Sequence, residues 1–275
     1  MASFAPSYWA SFMDMFSYDF IFGDHHAAPY GMLVLCCLFL LSRIKKIKEE
    51  MSGSALGRDY VYIAAGLALI ATAVILPEKA DFVLLKFLAA FVGAFAVVFG
   101  STARIPLILL AVFTVATMFP LLVSRYMEYG YAKFSIAPIK TLAPLFGLPL
   151  GVNGQLISFL TDTGQSITVK VSAGCAGPST MGVFLGIFAL MYLDMPLRFK
   201  RACAVFAFGV AGTWLQSIIR LLFILETGHY LGESALWTAH SWTIYALFPA
   251  WYLIFTLVYF KQAGGKNIIK KAINA

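Results

Sequence analysis

The chain is short of charge. Only 12% of its 275 residues are Asp, Glu, Lys or Arg, while 61% are hydrophobic. Soluble domains carry roughly 25% charged and about 45–50% apolar residues, so an ordinary soluble core is excluded. The sequence also lacks an internal repeat, a low-complexity linker and any polar stretch long enough for a soluble domain. A single polytopic membrane domain over residues 1–275 is therefore expected. The four cysteines, Cys36, Cys37, Cys175 and Cys203, form no C-x-x-C pair, which argues against a zinc site or a dithiol redox motif. His25 and His26 stand without further ligands and make a poor metal site. No metal and no cofactor is expected. The first residues, Met1 to Trp9, contain no lysine or arginine, unlike the start of an ordinary cleaved signal peptide.

What is present in excess is apolar sequence in long runs. A helix needs roughly 20 apolar residues to cross about 30 Å of hydrocarbon. Seven runs approach that length: Tyr30–Ser42, Tyr60–Leu76 (closed by Pro77), Phe82–Phe99, Ile105–Val123, Ser179–Leu193, Cys203–Thr227 and Ser241–Phe260. The expected fold is an all-α membrane protein, a bundle of about seven transmembrane helices. Cys36, Cys37 and Cys203 lie in these runs, where cysteine behaves as a small hydrophobe.

The formal net charge is +7. In a soluble protein that excess would raise nucleic-acid binding. Here the basic residues flank apolar runs, where they set orientation and meet anionic head groups, so no nucleic-acid partner is expected. Arg43, Lys45, Lys46, Lys48 and Arg58 follow the first span in a loop. Arg104 follows the third. Arg198, Lys200 and Arg201 follow the fifth, and Lys261, Lys266, Lys270 and Lys271 follow the seventh. With seven spans these thirteen of the 20 basic residues share one face, which the positive-inside rule makes cytoplasmic. The N-terminus is then outside and the C-terminus inside, in the cytoplasmic membrane of a prokaryote. Residues 1–29 form an extracytoplasmic or interfacial segment, and 124–178 an extracytoplasmic one.

Residues 124–178 are the one place that reads as non-helical. Ile167-Thr168-Val169-Lys170-Val171-Ser172 alternates apolar and polar side chains, which predicts a strand. Leu156–Leu160 precedes it across Thr161-Asp162-Thr163-Gly164-Gln165, a run of turn residues. A small extracytoplasmic β-hairpin leading to Cys175 is expected. Such backbone cannot face lipid and must lie at the interface or under protein.

Three groups then meet on the outward side. Cys175 stands in Gly174-Cys175-Ala176-Gly177-Pro178, with glycines for close backbone approach and Pro178 suited to the first turn of the next helix. A thiol just before a helix N-terminus has its pKa lowered and becomes nucleophilic as thiolate. Arg220 lies inside the sixth span, where an ionised group normally faces a partner or a cavity. Thr213, Gln216, Ser217 and Arg220 recur at i, i+3, i+4 and i+7, a single helix face, so Thr213, Gln216 and Ser217 are candidates for binding substrate. His240 opens the seventh span between Trp237 and Trp242, with a side chain able to exchange protons near neutral pH. His229, between Gly228 and Tyr230, reads as part of a solvated loop. Arg125, Lys133, Lys140 and Glu226 are candidates for lining a substrate path or meeting head groups.

A cysteine followed by a small residue and glycine, an arginine late in the next helix and a histidine at the start of the last helix resemble the exosortase/archaeosortase family of membrane transpeptidases. The residues that carry the resemblance are Val169-Lys170-Val171-Ser172-Ala173-Gly174-Cys175-Ala176-Gly177, Ser217-Ile218-Ile219-Arg220-Leu221 and His240, within Asn153–Phe260. Ala176 stands where the family often has serine, Ser217 where it often has asparagine, and His240 where some archaeal members have arginine. The resemblance implies a cysteine-type, sortase-like transpeptidase. Its partners would be secreted proteins ending in a short motif, a hydrophobic helix and a basic tail, and a membrane phospholipid as acceptor. Cys175 would be the nucleophile, His240 the general acid/base and Arg220 the oxyanion or thiolate stabiliser. The competing reading is a transporter or channel whose intramembrane Arg220 binds an anionic substrate. A scaffold, in which these polar groups merely hold helices together, is a third.

Overall fold

The computed structural model describes residues 27–53, 56–75, 80–172 and 175–264. Residues 1–26, with His25 and His26, Leu76 to Lys79, Ala173, Gly174 and the tail from Lys266 to Lys271 lie outside the described residues. The architecture is helical, with eight α-helices among the described residues: α1 (Ala27–Gly53), α2 (Leu56–Ile75), α3 (Ala80–Phe99), α4 (Arg104–Tyr126), α5 (Glu128–Leu142), α6 (Pro178–Asp194), α7 (Phe199–Leu231) and α8 (Glu233–Gln262). Each predicted span is helical over its described length. Among the described residues three helices are long and apolar enough to cross a membrane, over Arg104–Ser124, Phe199–Leu231 and Glu233–Gln262, and shorter apolar helices cover Tyr60–Ile75, Ala89–Thr102 and Pro178–Asp194. The protein is thus a multi-pass helical membrane protein.

Two local expectations are corrected. Arg43 to Lys48 do not occupy a loop, because α1 continues through them to Gly53. The stretch read as irregular holds a full helix, α5, with Ala132, Ser135, Ile136 and Ile139 buried. Those positions follow the i, i+3, i+4, i+7 rule. Gly130 and Pro138 obscure the pattern, since proline inside a helix removes one hydrogen bond.

The described chain divides into two compact units. In Met32–Thr114, α2 and α3 pack through facing glycines. A Cβ added to Gly66 would lie 2.6 Å from the carbonyl oxygen of Gly93, and one on Gly93 equally close to that of Gly66. Small residues let helix backbones approach in this way. The buried Cys36 thiol donates to the Leu109 carbonyl.

In the unit containing Val115 onward, α7 and α8 form an antiparallel hairpin that turns at Gly232, where φ is +86°. Gly209 lies beneath the rings of Phe184 and Phe255, and Gly212 beneath Trp251. The aromatic cluster of Phe184, Phe255 and Tyr259 joins α6 and α8 at their buried faces. Its polar tips are satisfied: Tyr252 donates to the Thr180 carbonyl at 2.7 Å and Tyr259 to that of Met195 at 2.8 Å, as buried tyrosines normally require.

The sheet has three antiparallel strands rather than two: β1 (Gly151–Asn153), β2 (Leu156–Leu160) and β3 (Ser166–Lys170), in that order. The β2–β3 hairpin pairs Ser158 with Thr168, whose hydroxyls bond across the exposed face at 3.0 Å. On the other face Ile157, Phe159 and Ile167 are buried with Ile139 of α5, Ile218 and Leu221 of α7 and Leu236 of α8. One face of the sheet is therefore covered by helices. β1 escaped notice because three residues are too few to show alternation.

His229 is not in a loop. α7 runs through it to Leu231, and its ring bonds the Leu160 carbonyl and pairs with Asp162 at 3.2 Å. The Asp162 N–H donates to the His229 carbonyl at 3.0 Å. The β2–β3 turn is thereby tied to the end of α7.

Candidate active site

The turn carrying Cys175 is built by Ser172. Its carbonyl accepts the N–H groups of both Cys175 and Ala176 at 3.1 Å, and its hydroxyl donates to the Cys175 sulfur at 3.6 Å. Ser172 is the residue that sequence reasoning missed here, although its spacing three before a candidate nucleophile is that of a local side-chain turn. Cys175 is half-buried and packs against the sheet-facing core. Two residues on, Gly177 takes φ +94° and ψ 22°, and Pro178 starts α6. The left-handed conformation suits glycine, and Pro178 fills the first helical position as expected. Among the described residues no side chain caps this helix start. Thr180 donates to the Gly177 carbonyl at 2.7 Å, fixing the turn from the far side.

Gly177 also sets how closely the turn lies on α7. A Cβ here would fall 2.2 Å from the Ser217 hydroxyl oxygen. The Cys175 turn and α7 therefore touch at Ser217, one turn of helix from Arg220.

The four residues of the α7 stripe, Thr213, Gln216, Ser217 and Arg220, are all buried. Arg220 is only 3% exposed, which rules out a guanidinium that snorkels to solvent. Its Nε donates to Thr243 Oγ1 at 3.1 Å, and its Nη2 donates to the main-chain carbonyl of His240 at 2.9 Å. The guanidinium carbon lies 5.9 Å from the centre of the Phe248 ring, within range of a cation–π contact. Thr243 in turn donates to the Ala239 carbonyl at 2.7 Å. Thr243 was also missed; a threonine three residues past His240, facing an arginine in an apolar helix pair, is the signal that could have found it.

His240 is half-buried, with its ring edge-on to Trp237 at 5.9 Å. Trp237 and Trp242 are exposed. Ser217 donates to the Thr213 carbonyl at 3.1 Å, and the Thr213 hydroxyl accepts from Trp251 at 3.0 Å. Neither polar atom of the Gln216 amide has a partner among the described residues. The structure thus links the predicted residues in sequence: the Cys175 turn to Ser217, Ser217 along α7 to Arg220, and Arg220 across to the backbone at His240.

Lys133 and Lys140 are exposed on α5, while Glu226 is half-buried on α7. None of the contacts described above joins them to the Cys175 turn. Among the described residues, no group of three or more His, Cys, Asp or Glu converges as metal ligands.

A thiol held by a hydroxyl donor, a buried guanidinium and an imidazole on neighbouring elements suit acyl transfer through a thioester. No curated protein and no solved structure matches the chain. A model of the family described as transmembrane exosortase matches residues 23–257, nearly the whole chain. That family is a class of membrane cysteine transpeptidases acting on secreted proteins with C-terminal signals. By the extent of this match the chain belongs to the transmembrane exosortase family.

Proposed function

We propose that this chain cleaves the C-terminal sorting signal of secreted proteins and transfers each protein to a lipid anchor, with Cys175 as nucleophile. His240 takes the Cys175 thiol proton, and the sulfur attacks the scissile carbonyl carbon. The tetrahedral intermediate collapses as the C–N bond breaks, and His240 delivers a proton to the departing amine. The acyl group remains on sulfur as a thioester. A lipid head group bearing a nucleophile then attacks that carbonyl and loses its proton to His240, and the thiolate leaves. Arg220 meets the negative charge on the oxyanion or on the sulfur, where a buried cation acts strongly. The hairpin end of α7 and α8, with the sheet and the Cys175 turn, faces the outside of the cytoplasmic membrane. The N-terminus is outside and the C-terminus cytoplasmic, following the basic residues.

One observation carries this reading. The Cys175 turn packs on α7 at Ser217, three residues before an arginine that is bonded to α8 at His240. A transporter needs no such link between a cysteine turn and a buried arginine. The test is replacement of Cys175 by alanine in a cell co-expressing a secreted protein with a motif, an apolar helix and a basic tail. Processing should cease and the unprocessed precursor accumulate; continued processing would refute the mechanism. Orientation is tested separately by labelling Cys175 with an impermeant maleimide in right-side-out vesicles, using a variant lacking Cys36, Cys37 and Cys203.

A further inference from the structure

Five buried side-chain polar atoms have no hydrogen-bond partner among the described residues: Ser135 Oγ, Gln155 Nε2, Trp214 Nε1 and both Oε1 and Nε2 of Gln216. Gln216 is distinctive because its donor and its acceptor are both unmet while the residue is only 7% exposed. Buried polar groups are overwhelmingly paired, and an unpaired amide in an apolar setting costs stability. Its neighbours on the same face are already engaged. Ser217 bonds to Thr213, Thr213 accepts from Trp251, and Arg220 is held by α8.

We propose that the Gln216 amide binds one peptide group of the substrate backbone, on the C-terminal side of the scissile bond. This rests on the transpeptidase reading and adds to it the place where the substrate chain is held. A carboxamide presents one acceptor beside one donor group, and a peptide group offers the complementary N–H and C=O. A phosphate or a lipid ester offers acceptors alone and would leave Oε1 unmet. Depth favours the same ligand. Gln216 lies near mid-length of α7, one turn and about 6 Å of rise from Arg220 toward the helix centre. A substrate segment passing from the cleavage site toward its own apolar helix brings unpaired N–H and C=O groups to that depth, and hydrocarbon offers them no partner. The Gln216 amide supplies one.

The test uses the full chain with Gln216→Leu and Gln216→Met, and a secreted reporter carrying a motif, an apolar helix and a basic tail encoded in the same genome. Each variant should raise KM for the reporter by about 10- to 100-fold, the loss of one or two buried hydrogen bonds, with kcat within about twofold of the parent. Resistance to SDS unfolding should hold or rise, because an unmet amide has been replaced by an apolar side chain. A destabilised variant with unchanged KM overturns the proposal, since that is how a helix–helix contact behaves. A second measurement does not depend on those variants. Gln216→Cys, in a chain whose four native cysteines are replaced by alanine, should form a disulfide with single cysteines placed just C-terminal to the reporter's scissile bond. Crosslinking at none of those positions overturns the proposal. Should the parent chain process no such reporter, the transpeptidase reading fails and this inference with it; a processed reporter with unchanged KM in both variants defeats the Gln216 assignment alone.

Discussion

Gly177→Ala tests how the Cys175 turn is seated. Two separate costs can be read from the geometry. The backbone at φ +94° lies in the left-handed region, where an L-residue with a Cβ costs about 1–2 kcal/mol. The new Cβ would also lie 2.2 Å from the Ser217 hydroxyl oxygen, 3.0 Å from the Ser217 Cβ and 3.2 Å from the Thr180 hydroxyl. Overpacking of that kind costs about 1–3 kcal/mol. Together they predict a loss of about 2–5 kcal/mol, with a displaced turn. Ser217→Gly removes both Ser217 atoms from the clash and leaves the backbone cost in place. In a double-mutant cycle the Gly177→Ala/Ser217→Gly pair should therefore be less destabilised than the sum of the singles by about 1–3 kcal/mol. The cycle subtracts the cost of about 1 kcal/mol for a glycine inside a helix. Unfolding would be followed by SDS titration from mixed micelles, and turn geometry by the maleimide labelling rate of Cys175 in a chain without Cys36, Cys37 and Cys203. Additivity within about 0.5 kcal/mol would mean that Gly177 and Ser217 do not touch, and the link from the Cys175 turn to α7 would be lost.

Three further perturbations have distinct signatures. Arg220→Lys keeps at most one of the two bonds to α8 and should cost about 1.5–3 kcal/mol by SDS titration, since bonds to a charged group carry about that much each; Arg220→Leu should lose both, and reporter processing should fall to background. His229→Ala should release the β2–β3 turn at a cost of about 1 kcal/mol, read as faster proteolysis at Thr161–Gln165. Asp162→Ala should do less, because its side chain is 56% exposed and surface ion pairs contribute about 0–1 kcal/mol. Gly93→Leu meets the Gly66 backbone, which cannot swing aside as a side chain could, and should weaken the α2–α3 pair by about 1–3 kcal/mol without altering the labelling of Cys175.

The membrane class and the helices of all seven spans were legible because hydrocarbon imposes one loud signal, a long apolar run. The exact ends were not. α1 runs on through Arg43 to Gly53, and α7 through His229 to Leu231, because helical hydrogen bonding does not stop where hydropathy falls. α5 shows the opposite failure. Its buried face repeats at helical spacing, yet Gly130, Pro138 and the exposed Lys133 and Lys140 make the segment look like a loop. At the candidate site, residue type and depth were enough to single out Cys175, Arg220 and His240. Their supporting contacts were not legible. Ser172 holds the Cys175 turn, and Thr243 receives the Arg220 guanidinium across the helix pair; a serine near a turn and a threonine in a helix are too common to announce such roles. Contacts between helices depend on register, and register is absent from a single sequence.

The way Arg220 is held bears on why an arginine stands there. Two of its bonds run in different directions, one to a hydroxyl and one to the main-chain carbonyl of His240. A planar guanidinium presents donors fixed at such angles, whereas an ammonium on a flexible stem does not. Because the second bond is made to the His240 backbone, it fixes where that residue sits on α8 while leaving its imidazole out of the bond. A proton-transferring ring must be placed within hydrogen-bond reach of the group it serves, and an anchor made through a ring nitrogen would compete with that transfer. An anchor through the carbonyl does not. The same cation, buried and turned toward α8, lies one helical turn from the residue on which the Cys175 turn rests. On the proposed mechanism one guanidinium would therefore both position His240 as the acid/base residue and supply positive charge for the developing anion, which is why Arg220→Lys, which keeps the charge but not the fork, should impair processing even where it preserves the fold.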